Sequence, residues 1–157
     1  MGKPAEISLE LPITIPYGKR RYSVNLNIYR NLHFRVLNSL KKKYKEVVKV
    51  ALKKTKVTKS TIKKLGGNGC VIVYEVHKGD KRRYDVANIC SVVDKFFCDS
   101  LVELGYLPED NAKIVRAVLY MDGEIDKSNP RVDVKVLELV SGHNNLFSGI
   151  CSTLYNS

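Results

Sequence analysis

Lys81 to Asn111 reads KRRYDVANICSVVDKFFCDSLVELGYLPEDN. A basic triplet runs into an acid, Asp85. An amphipathic segment follows, from about Val86 to Leu104, and Gly105 stops it as a helix C-terminus commonly stops. Ile89, Val93, Phe96, Phe97, Leu101 and Leu104 fall within one arc of that helix and form its core face. Asn88, Ser91, Lys95 and Asp99 fall on the opposite arc, with Asp94 and Cys98 at a margin. A second acidic pair, Glu109–Asp110, comes after the turn. Carboxylates among Lys and Arg suggest a divalent-metal site acting on a polyanion, provided the fold brings Asp85 and Asp110 together.

The segments around this helix supply strands. Cys70 to His77 (CVIVYEVH) is a strand rich in valine and tyrosine. Ala112 to Met121 reads as a strand. Arg131 to Leu139 (RVDVKVLEL) alternates cleanly, with one buried face, and is expected to pair with it as a hairpin across the polar turn Asp122–Pro130. Ile7 to Ile15 alternates as a strand, with Pro12 arguing for an edge position or a bulge. Leu32 to Lys54 is a long helix, with a stripe through Leu40, Tyr44, Val47 or Val48, and Ala51. Thr58 to Lys64 adds a short helical turn, and Gly66–Gly69 a loop without Walker spacing. The tail from Val140 is weakly specified. The expected architecture is α+β: one domain of 157 residues, with a small mixed sheet of about four strands packed on two long helices.

Composition narrows the function classes. Apolar residues make up 44% and charged residues 27%, as in a folded soluble protein. No stretch reads as a membrane span or a signal peptide, so a cytoplasmic location is expected. Cys70, Cys90, Cys98 and Cys151 show no CxxC spacing, which argues against zinc. Cys90 and Cys98 stand ~12 Å apart along one helix, too far for a disulfide. The formal net charge of +11 favours an anionic partner, nucleic acid above all. Lys41, Lys42, Lys43 and Lys45 crowd the first long helix and Lys81, Arg82 and Arg83 precede the second. Lys19, Arg20 and Arg30 lie in a segment also rich in Tyr and Asn, which suits phosphate and base contacts. Solvation alone also accounts for a lysine-rich face. A non-catalytic nucleic-acid-binding protein and a protein that blocks a host factor are the competing classes.

The order of elements, with RRYDVAN, the amphipathic helix and LVELGYLPEDNAKIV, resembles the RusA family of Holliday-junction resolvases, small endodeoxyribonucleases of phages and prophages. The resemblance covers roughly Val71 to Leu139. Asp85 and Asn88 match its first element, Cys98 to Val102 with Gly105 its middle, and Glu109-Asp110-Asn111 its last. It implies a symmetric homodimer that cuts branched DNA with Mg2+, or Mn2+ in its place. Asp85 and Asp110, with Glu109, would hold the metal, Lys95 would stabilise the transition state and Asn88 would orient a ligand or water. Lys81, Arg82, Arg83 and the Lys41–Lys45 cluster would hold phosphates. The family's second acid falls on Ala87 and its helical lysine on Ser91. Asp94 lies ~10 Å along the axis from Ala87 and does not replace the acid, whereas Lys95, one turn beyond Ser91, reaches part of the way. Ala87 is open to three readings: a deliberate inactivating change, a natural looser site on Asp85 and Asp110 assisted by Glu109 or Glu75, or a scaffold that binds without cutting. Asp85 as a plain helix cap and Asp110 as a turn residue are the structural alternatives.

Overall fold

The structure, a computed structural model, describes residues 4–139. The tail from Val140 lies outside the described residues.

Strand β1 (Glu6–Pro12) buries Ile7, Leu9 and Leu11 and turns Glu6, Ser8 and Glu10 outward. The alternation continues past Pro12 in the sequence, but the strand does not: β2 (Thr14–Tyr17) turns at Gly18 and pairs with β3 (Arg20–Ser23) as a separate two-stranded sheet. The polar arm read from the sequence is therefore a hairpin followed by a short helix, α1 (Leu26–Asn31), capped by the Asn25 side chain.

Helix α2 (Phe34–Lys54) buries Leu40, Tyr44, Val48 and Leu52, one residue per turn. Four-residue spacing puts those side chains in a single row facing the core. The buried Tyr44 hydroxyl donates to the Pro12 carbonyl at 3.2 Å, which removes the cost of an unpaired polar atom. Helix α3 (Lys59–Asn68) is capped by Thr58 and runs through Gly66 and Gly67, so the loop expected there is helical. Gly66 lies against Pro108: a Cβ there would stand 3.2 Å from the proline ring. Close packing between two elements outweighs the weak helix propensity of glycine.

Strand β4 (Cys70–His77), helix α4 (Val86–Glu103) and strand β5 (Val115–Asp122) form a β–α–β unit, with β5 parallel to β4. Strand β6 (Arg131–Glu138) lies between β1 and β4, antiparallel to both, giving the order β1-β6-β4-β5. The expected hairpin between β5 and β6 is corrected here: β4 separates them. The segment from Gly123 to Pro130 bridges the end of β4, with Asp126 N–H donating to the Lys78 carbonyl at 2.8 Å. Alternation in β6 specified a buried face but not a neighbour. The unbroken burial of β4 from Cys70 to Tyr74 marks it as central, with a strand on each side.

The architecture is thus α+β, a four-stranded mixed sheet and a small two-stranded sheet with four helices. Tyr74 and Tyr120 point from the sheet to α4 and Val132, Val134 and Val136 are buried, so the core lies between α4, α2 and this face. No helix among the described residues is long and apolar enough to cross a membrane.

Candidate nucleic-acid interface

Asp85 stands at the N-terminus of α4, and its carboxylate accepts the Ala87 N–H at 2.9 Å. This is the helix-cap geometry, which satisfies one of the donors a helix start leaves free. Asn88 turns toward α1 and accepts the Leu26 N–H at 3.2 Å, tying the starts of two helices together. Ala87 is exposed beside them.

The basic triplet lies on the loop that leads into this helix. Lys81, Arg82 and Arg83 are exposed, Arg82 to 89% of its side chain. Asp80 organises the loop: it accepts the Arg82 N–H at 2.9 Å and faces the Lys78 ammonium at 3.3 Å. That backbone bond, followed by the Lys78 contact, holds its carboxyl below the usual range. Lys78 lies over the Tyr84 ring, 4.4 Å from its centre, and Tyr84 donates its hydroxyl to Asp122 at the end of β5. Lys78, Lys81, Arg82, Arg83 and Tyr84 line a groove of about 380 Å³ together with two acids, Asp80 and Asp122. Cations and an aromatic ring around one groove suit a phosphate backbone.

The lysines of α2 are not equivalent. Lys42 is exposed. Lys41 lies 5.8 Å from the centre of the Tyr29 ring, and Lys43 donates to the Pro16 carbonyl at 2.9 Å. Lys45 is held by Glu103 at 2.6 Å, so part of its charge is already answered. Lys41, Lys42 and Lys45 line a second groove, of about 260 Å³, against α4. Lys19, Arg20 and Arg30 are exposed at the hairpin turn and on α1.

The acids expected to share a metal lie apart. Glu109 and Asp110 follow the C-terminus of α4, where Tyr106 and Leu107 N–H donate back to the Leu101 carbonyl. Because β5 runs parallel to β4, α4 runs back between them, and the turn that holds Glu109 and Asp110 lies at its C-terminal end. Cys98, toward that end, is thirteen residues from Asp85, about 20 Å along a helix. The strand that starts after Asp110 spans eight residues, about 26 Å, before it reaches Asp122 beside the Asp85 end. One chain therefore places Asp85 and Asp110 at opposite ends of α4. Glu109 accepts from the Asn111 side chain. Lys95 pairs with Asp99 at 3.7 Å, ten residues or about 15 Å along the axis from Asp85. Metal–oxygen bonds span only about 2 to 2.6 Å, so Asp85 and Asp110 of one chain do not fit a shared Mg2+ site. Among the described residues no group of three or more His, Cys, Asp or Glu side chains is placed so that it could hold a metal ion.

Asp94 acts elsewhere. Its carboxylate accepts the Tyr74 hydroxyl at 2.6 Å, the Tyr120 hydroxyl at 3.0 Å and the Cys98 thiol at 3.3 Å. It ties α4 to β4 and β5. Its place at the margin of the apolar arc, one turn before Cys98, was the available signal. No protein-family model and no curated protein sequence matches this chain.

Proposed function

We propose that this chain binds branched DNA, as a homodimer on a RusA-like scaffold. The observation that carries the reading is the exposed Lys81–Arg83 triplet at the start of α4 in a chain of net charge +11. Phosphate neutralisation by Lys and Arg releases counterions, and recognition of a branch draws on backbone shape rather than base edges. The test is binding to a four-way junction and to linear duplex of equal length across a salt series. Junction preference with affinity falling steeply in salt supports the reading. Absence of binding at low salt, or a flat salt response, overturns it.

Metal-dependent endodeoxyribonuclease activity is the second reading. It is favoured by the spacing of Asp85 and Asn88 at the start of α4 from Glu109-Asp110-Asn111 before β5. Because the carboxylates of one chain are separated, a shared site would have to draw them from two subunits across a two-fold axis. Cleavage of a junction with Mg2+ or Mn2+, by this chain and by Ala87→Asp, separates enzyme from binder. No product from either leaves binding alone.

A further inference from the structure

Phe34 opens α2 with its ring in solvent: 62% of the residue is exposed, more than any other large apolar residue among those described. The core takes in Leu40, Tyr44, Val48 and Leu52 from the same helix and leaves this ring out. One exposed apolar side chain is ordinary by itself. Here both chain neighbours address the ring. His33 stacks beside it, with ring centres 4.6 Å apart and planes inclined by 33°. The His33 ring is itself fixed, because its Nδ1 accepts the Arg35 N–H at 3.3 Å and caps α2. The Arg35 guanidinium lies 5.8 Å from the centre of the Phe34 ring. Arg30, in the last turn of α1, is exposed four residues earlier in the chain.

We propose that Phe34, backed by His33 and with Arg30 and Arg35 beside it in the chain, is a stacking platform for an unpaired nucleobase of single-stranded DNA. The proposal rests on the DNA-binding reading and adds to it the kind of strand that is recognised. An aromatic face accepts any base, and arginines next to it hold the phosphates on either side of that base. A ring already stacked on a fixed imidazole has little freedom left to lose when a base is added. A continuous duplex keeps its base faces stacked inside and cannot use the platform, whereas a strand opened at a branch can.

The platform stands at the end of the molecule that carries the Lys81–Arg83 loop. Leu37 and Leu40 line a small cavity with Val92 and Phe96, and Lys45 meets Glu103 further along both helices. Helices α2 and α4 therefore run broadly in the same direction, with their starts at one end. Asn88 in the first turns of α4 also holds the start of α1 through the Leu26 N–H. Phosphates followed by the loop and a base received by Phe34 thus belong to one surface.

The chain contains no tryptophan, so Phe34→Trp introduces a single fluorescent reporter at the platform. With oligothymidylate as the probe its emission is expected to be quenched on binding, and a blunt duplex should quench it less. Phe34→Ala should weaken oligothymidylate binding by about fivefold or more, while blunt-duplex affinity stays within about twofold. The slope of log affinity against log salt should hold in Phe34→Ala, which loses no cation, and fall by about 0.7 in Arg35→Ala. Oligothymidylate affinity unchanged in Phe34→Ala, or duplex affinity weakened as much, overturns the platform, and the DNA reading survives if junction binding still falls with salt. No binding of either DNA at low salt overturns both. A dimer lost in Phe34→Ala with oligothymidylate affinity unaltered assigns the ring to a contact between copies and overturns the proposal. Should a variant fail to fold, ultraviolet crosslinking of the unaltered protein to an oligonucleotide carrying iododeoxyuridine decides: the adduct must map to the peptide that holds Phe34, and an adduct confined elsewhere overturns the proposal.

Discussion

Tyr74 donates its hydroxyl to Asp94 at 2.6 Å across the boundary between β4 and α4, and it does so from a fully buried ring. Burial raises the phenol well above its ordinary pKa, so it stays a donor throughout the working range. Removing the acceptor strands that donor inside the core. Asp94→Ala is expected to destabilise by about 3 kcal/mol, the cost of losing a charge-assisted bond and leaving a buried hydroxyl unpaired. Asp94→Asn keeps an acceptor and should cost about 1 kcal/mol. Urea midpoints check both. In the double variant Tyr74→Phe with Asp94→Ala the effects should add to less than their sum by about 1 kcal/mol or more, since one interaction is removed twice. Full additivity would mean that the pair is not coupled.

The start of α4 yields a prediction independent of any catalysis. Asp85 caps it and Ala87 is exposed in its first turn, which holds no acid. Ala87→Asp places a negative charge against the positive end of the helix and should stabilise by about 0.3–1 kcal/mol at low salt, less at high salt. Asp85→Ala should cost about 0.5–2 kcal/mol. Thermal melts at two ionic strengths read both. If Ala87→Asp destabilises, repulsion from Asp85 outweighs the helix dipole.

The burial pattern was written in the sequence more plainly than the connections. The stripe Leu40, Tyr44, Val48 of α2 and the arc Val93, Phe96, Phe97, Leu101 of α4 follow from periodicity and are buried, with Ile89 and Leu104 half-buried at the ends of that arc. The place of β6 does not follow, because alternation fixes which face is inside and not which strand lies alongside. The basic residues were legible by type, but the partners of Lys43 and Lys45 were not, since Pro16 and Glu103 lie far away in the chain. Bringing Asp85 to Asp110 needed a geometry that an eighteen-residue helix between them does not give. The contacts of His77 with Glu75 and Asp133 do not follow from the sequence, because Asp133 comes from the neighbouring strand β6.

Buried thiols are expected to cost stability on the alkaline side, ahead of the buried tyrosines, whose unfolded values lie higher. Burial pushes Cys70 up to about 11, and burial with the charge of Asp94 pushes Cys90 up to about 12. In the unfolded chain both ionise near 8.5. The unfolded state therefore loses protons first as pH rises, and the folded state is disfavoured. This contribution is fully present below about pH 8.5 and is lost as pH climbs toward 11 and 12. Urea midpoints should fall between pH 8 and pH 10.5, and Cys90→Ala should flatten the fall. A thiol reagent at pH 8 should label Cys70, Cys90 and Cys98, all buried, only after unfolding. Rapid labelling of any of these three in the native protein, read by mapping the labelled peptides, would contradict their burial.

In the proposed DNA-binding reading, the loop at Lys81–Arg83 and the face at Lys41–Lys42 would make different contributions to holding a phosphate backbone. Arg82 and Arg83 are exposed beside the start of α4, whereas Lys45 already answers Glu103. Each phosphate contact contributes about 0.9 to the slope of log affinity against log salt. Arg82→Ala with Arg83→Ala should therefore weaken junction binding and lower that slope by nearly two. Lys42→Ala should lower it by about one. Lys45→Ala should change it least, because removing a paired cation frees Glu103 while giving up little free charge. Fluorescence anisotropy with a labelled junction at four salt concentrations measures all three. Equal slopes for Lys42→Ala and Lys45→Ala would show that the Glu103 pair opens on DNA, and unchanged slopes for the arginine pair would remove the loop from the interface.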